Sequence, residues 1–151
     1  FVRSRAEQLK LDPLWLKTID LHVHVPRAAA VRDGATAGVA IFVSVASLLL
    51  NVPCRPEVAV TGELTLRGNI LPVGGIKEQM LAAHRAGVRV VVLPARNERD
   101  YFEVPDEVKN ELTVHFVSRL DEVLALVLAA PSPELAAELD VEPISSDGAS
   151  P

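Results

Sequence analysis

Residues 36–51 carry only small, apolar or hydroxyl side chains until the closing Asn51. The run is too long for an ordinary strand and too short to cross a bilayer, so it predicts a helix lying inside the molecule. Before it, residues 19–25 alternate strictly. Ile19, Leu21, Val23 and Val25 share one face and Asp20, His22 and His24 the other, the pattern of a half-buried strand. Residues 26–32 then read as a loop. Residues 2–10 place charges at helical spacing until Asp12-Pro13 ends the pattern.

Downstream the periods change again. Residues 56–61 predict a strand, and residues 63–67 and 70–73 flank Gly68-Asn69 as the arms of a hairpin. Gly74-Gly75 opens a helix to about Arg85, with Gly87 as its C-terminal stop. The β-branched run 88–93 reads as a strand buried in a sheet interior. Two short helices, 97–101 and 106–112, lie on either side of Pro105; residues 113–117 form a strand and 120–129 an amphipathic helix. The fold class is α/β (α+β): a mixed sheet of about five to six strands with four to five packed helices.

Composition changes the picture mainly at the C-terminus. The formal charge of -5 resides in residues 131–151, where Glu134, Glu138, Asp140, Glu142 and Asp147 meet no Lys or Arg. That segment also holds Pro131, Pro133, Pro143 and Pro151, and it predicts a disordered acidic Pro/Ser-rich tail. Residues 1–130 are one electrically neutral domain. Without a basic stripe, nucleic acid is not expected as a partner, and neither is a membrane. Cys54 is the only cysteine, which excludes an internal disulfide and a multi-Cys zinc site. The chain opens on Phe1 and its only methionine is Met80, the look of a fragment.

Two short motifs carry candidate chemistry. Asp33-Gly34-Ala35-Thr36-Ala37-Gly38 precedes the apolar helix. It is a helix start, with Asp or Gly able to cap and small residues permitting close packing. The same position also suits a nucleophile, because backbone N–H groups at a helix N-terminus can hold an oxyanion. Lys77, in Gly74-Gly75-Ile76-Lys77-Glu78, reads on pattern alone as a solvated first-turn lysine; the alternative is a general base. A base must surrender its proton near neutral pH, which burial and a helix N-terminus both favour. Thr61, in Thr61-Gly62-Glu63, could orient the lysine amine with its hydroxyl. His22 and His24 share a strand face, but no third ligand stands at a metal-site spacing. No G-x-x-x-x-G-K-[ST] turn is present.

Taken in order, these stretches resemble the proteolytic domain of the Lon family of ATP-dependent proteases. The likeness runs from Val2-Arg3-Ser4-Arg5-Ala6-Glu7 through Asp20-Leu21-His22-Val23-His24-Val25-Pro26, Thr61-Gly62-Glu63-Leu64-Thr65-Leu66-Arg67-Gly68 and Leu71-Pro72-Val73-Gly74-Gly75-Ile76-Lys77-Glu78. It continues through Leu81-Ala82-Ala83-His84-Arg85-Ala86-Gly87 to about Leu128. The resemblance implies an endopeptidase domain acting on unfolded or damaged proteins, part of a homo-hexameric ring. The family's catalytic lysine falls on Lys77. Its catalytic serine, usually in Asp-Gly-Pro-Ser-Ala-Gly, falls on Thr36, with Ala35 in the proline position. Asp33, Thr61 and Glu63 match supporting positions. No cofactor is expected in this chain; ATP and Mg are expected on an upstream AAA+ module, and the compartment is bacterial cytoplasm or an organelle matrix. Threonine keeps the hydroxyl but adds a methyl that stiffens χ1 beside the attacking oxygen. The alternative function is therefore a Lon-like domain with little or no cleavage that assembles or regulates an AAA+ ring.

Overall fold

A computed structural model describes residues 20–24 and 34–129. A 3₁₀ turn, Gly34–Ala37, leads into α1 (Gly38–Leu50), β1 (Val58–Val60), the short strands β2 (Glu63–Leu64) and β3 (Ile70–Leu71), and α2 (Ile76–Arg85). Next come β4 (Val90–Pro94), a 3₁₀ turn Ala95–Asn97, α3 (Glu98–Tyr101), α4 (Asp106–Glu111), β5 (Thr113–Val117) and α5 (Leu120–Val127).

β1, β4 and β5 form a parallel sheet with β4 at its centre. A strand covered on both faces needs apolar residues at every position, and β4 supplies them. Val91 and Leu93 face one helical layer and Val92 the other. The crossovers β1–β4 and β4–β5 step in the same direction across the sheet. With a shared hand they must leave their helices on one face. Accordingly Ile76 and Met80 of α2 and Val108 of α4 share a core with Val91 and Leu93. The opposite face is covered by α1 and α5, where Val39, Phe42, Val43 and Val123 meet Val92.

The Gly68-Asn69 hairpin is present, with Glu63 opposite Leu71 and Leu64 opposite Ile70 in antiparallel register. It is fastened beyond the end of β5, where the Ile70 N–H donates to the Ser118 carbonyl at 2.9 Å and the Leu120 N–H to Gly68 at 3.0 Å.

Two expectations are corrected. Residues 20–24 form no strand ladder and are exposed, Leu21 at 39% and Val23 at 53%. Alternation gives a segment two faces; a ladder also needs a free edge beside it, and this segment lies along α1 instead. Secondly, α1 is not interior all round. Val39, Phe42, Val43 and Ala46 are buried, while Ile41 is 37% and Leu48 68% exposed. Its serines do not orphan their hydroxyls: Ser44 Oγ donates to Ala40 O at 2.9 Å and Ser47 Oγ to Val52 O at 2.6 Å. Residues 2–10 and 131–151 lie outside the described residues.

Candidate active site

Thr36 lies in the 3₁₀ turn, and the α-helix proper begins two residues later at Gly38. Gly38 has a steric reason. A Cβ there would stand 3.3 Å from the Leu64 nitrogen and 3.7 Å from the Gly62 carbonyl oxygen, because the hairpin crosses the helix start.

The end of β1 grips this turn. The Thr36 carbonyl accepts from Thr61 Oγ1 at 3.3 Å and from the Gly62 N–H at 3.4 Å. In return the Gly62 carbonyl accepts the Val39 N–H at 3.2 Å, which removes that amide from those able to face an oxyanion. Thr61 is itself buried, and its N–H donates to Val92 of β4 at 3.2 Å. Gly62 adopts φ 144°, and a Cβ on it would fall 2.7 Å from Ile70 Cγ2. Both conformation and space reserve that position for glycine.

The Thr61 proton thus goes to the backbone of Thr36 rather than toward the lysine, since the strand end abuts the turn. Its oxygen keeps lone pairs that can still accept. Glu63 is exposed on β2, and Asp33 lies outside the described residues. His22 and His24 border an open groove of about 350 Å³ with Ala37, Ile41 and Leu48 of the α1 side. Among the described residues no group of three His, Cys, Asp or Glu could hold a metal ion.

Lys77 occupies the first turn of α2. The helix starts from Gly75 at φ 70°, and Gln79 Nε2 donates back to the Gly74 carbonyl at 2.9 Å. The lysine is exposed and borders a shallow pocket of about 190 Å³ with Gly74, Gly75, Asp100 and Glu103. Among the described residues, those around Lys77 do not supply the shelter that a lysine base requires. Gln79, two positions on, borders a different cavity of about 320 Å³ together with Thr61. Residues two apart on a helix point roughly 200° apart, so α2 turns Gln79 toward Thr61 and Lys77 elsewhere. The structure therefore joins Thr36 to Thr61 directly and leaves Lys77 on the next wall.

One residue that the sequence pattern does not single out stands beside that wall. Asn97 is 2% exposed. Its Oδ1 accepts the Val73 N–H at 3.0 Å, and its Nδ2 donates to Val73 O at 2.8 Å and to Asp100 Oδ2 at 2.5 Å. In sequence it reads as the first residue of a short helix. Its partner lies 24 positions upstream, which no local pattern reveals.

Residues 1–130 match the family model of the Lon protease (S16) C-terminal proteolytic domain. The chain is 56% identical over 131 residues to Lon protease 2 of Sorangium cellulosum (strain So ce56), covering 87% of this chain and 16% of that protein. It is 49% identical over 127 residues to Lon protease of Escherichia coli (strain K12), covering 84% and 16% respectively. With Lon protease of Bacillus thuringiensis (strain Al Hakam) it shares 48% over 124 residues, 82% of this chain and 16% of the relative. The chain thus spans about 16% of the length of these curated relatives.

Proposed function

The chain belongs to the Lon family of C-terminal proteolytic domains, and from that premise we propose that it is the peptide-cleaving part of an ATP-dependent endopeptidase. Thr36 is the nucleophile and Lys77 the general base. The observation that carries this reading is the seat of Thr36, in a turn at the mouth of α1 with its carbonyl held by Thr61 and Gly62. A hydroxyl placed there attacks from a fixed backbone.

In the first step Thr36 Oγ1 adds to the scissile carbonyl carbon, and neutral Lys77 Nζ accepts its proton. Amides at the start of α1 hold the oxyanion. Collapse breaks the C–N bond, and the lysine returns the proton to the departing amine, leaving an ester on Thr36. Water, deprotonated by the same amine, then hydrolyses the ester. Because Lys77 is exposed in the chain alone, this reading has the bound substrate covering the first turn of α2 and excluding water from the amine. Unfolded proteins are the proposed substrates and a homo-hexamer the proposed assembly. ATP and its Mg²⁺ are assigned to a separate AAA+ module, in the cytoplasm of a bacterium or in an organelle matrix. Among the described residues no helix is long and apolar enough to cross a membrane.

Lys77's exposure favours a second reading, in which the domain assembles or regulates an AAA+ ring without cutting. Degradation of an unfolded protein with ATP by the full-length protein separates the two, using the native form, Thr36→Ser, Thr36→Ala and Lys77→Ala. Cleavage by the native and Ser forms alone establishes the dyad. Equal inertness of the native and Thr36→Ala forms, with activity gained in Thr36→Ser, overturns the peptidase reading.

A further inference from the structure

We propose that Asn97 is the positioning residue that sets where Lys77 stands, with Asp100 fixing the orientation of its amide. The inference rests on the reading of Lys77 as the base.

Thr61 and Asn97 are the buried polar side chains among the described residues. Thr61 serves the Thr36 turn, and Asn97 serves the segment that delivers Lys77. One carboxamide takes both backbone groups of Val73, its N–H at 3.0 Å and its carbonyl at 2.8 Å. That is what a neighbouring strand would do, and it fixes the peptide planes on both sides of Val73. The remaining Nδ2 hydrogen goes to Asp100 Oδ2, so the carboxamide cannot flip without pointing its oxygen at a carboxylate.

The clamp matters because the backbone immediately C-terminal to it is all glycine up to α2. Between Val73 and α2 come only Gly74 and Gly75, the most permissive residues for a backbone to pass through. A Cβ on Gly74 would meet nothing within 4 Å, so no side-chain packing backs this link, and its tie is the Gln79 side chain on the Gly74 carbonyl at 2.9 Å. Asn97 ends the 3₁₀ turn that leaves strand β4, buried from Val91 to Pro94. Asp100 also borders the pocket that Lys77 borders. A displacement of about 1 Å in a reacting group can cost on the order of 100-fold in rate, so a shift passed on through two glycines would be felt at the amine.

The test uses the full-length protein with ATP and an unfolded protein substrate, assayed well below its unfolding temperature. Asn97→Ala and Asn97→Asp are expected to lower kcat by about 10-fold or more with KM changed by less than about twofold, the mark of lost alignment rather than lost binding. Asp100→Asn keeps an acceptor oxygen and is expected to retain most of kcat, whereas Asp100→Ala loses it. On a Lys77→Ala background, Asn97→Ala should remove nothing further, since the two act as a unit. If Lys77→Ala abolishes cleavage and both Asn97 variants keep native kcat, the positioning role is overturned. If Lys77→Ala keeps native kcat, the reading of Lys77 fails instead. Hydrogen exchange needs no activity: amides 73–77 should exchange at least about 10-fold faster in Asn97→Ala, or in Asn97→Asp if the alanine form does not fold. Unchanged exchange there overturns the clamp itself.

Discussion

Gly62→Ala is the substitution whose cost the structure defines best. The residue sits at φ 144°, where side-chain-bearing residues are rarely found, and its would-be Cβ lies 2.7 Å from Ile70 Cγ2 and 3.2 Å from Val39 Cγ2. Holding a non-glycine residue in such a conformation costs of order 1–3 kcal/mol. Forcing a methyl into a packed core costs about 1–3 kcal/mol more. Ile70 and Val39 are both buried in the same core, so neither neighbour can simply swing away. A total loss of about 2–6 kcal/mol is expected, a large share of the roughly 5–15 kcal/mol that holds a domain together. Guanidinium unfolding reads it as a lower midpoint at unchanged slope. Gly74→Ala is the internal control. That position has an open environment and no positive φ, and replacing glycine there should stabilise by about 0.4–1 kcal/mol through the unfolded chain. Equal effects at the two positions, or a loss below about 1 kcal/mol at Gly62, would refute the reasoning from space and φ.

Thr61→Val keeps the branched shape but deletes the 3.3 Å donation to Thr36 O; stability should fall by about 0.5–1.5 kcal/mol, with slower peptide cleavage. Thermal unfolding and a peptide assay check both, and unchanged values would mark the bond as idle. Met80 is wholly buried between α2 and β4, so Met80→Ala should cost about 2–5 kcal/mol in denaturant unfolding. Met80→Leu, nearly equal in volume, should cost less than about 1.5 kcal/mol.

The elements most legible in the sequence are those whose partners are set by burial alone. The run at 88–93 could only be a covered strand, and β4 lies at the sheet's centre. Glycine at 75 and 87 marks the ends of α2 because both positions carry positive φ, 70° and 76°. Gly68 in the hairpin turn, at φ 82°, is another of the same kind. What the sequence hid depends on distant partners. The alternation at 20–24 promises a face but not an edge to pair with, and that segment lies along α1 unpaired by strands. Asn97 reads as the first residue of a short helix, yet its side chain makes no cap bond and reaches Val73 instead. The motif residues Thr36 and Lys77 stood out by chemistry. Their surroundings did not, because Thr36 is held by Thr61, 25 positions away, and the chain before Lys77 by Asn97, 24 positions from Val73.

Both halves of the site take their bearings from the same backbone. Thr61, which steadies the Thr36 turn, hangs its N–H on Val92 at 3.2 Å, and Asn97 comes three residues after Pro94 closes that strand. On the proposed reading, the spacing between Thr36 and Lys77 is thereby referred to one strand and the turn that follows it, like two marks on one rod. Sequence can drift or lengthen at the water-facing hairpin tip, where Leu66 is 83% exposed, without redrawing that interval. A bend in β4 itself would move both marks at once.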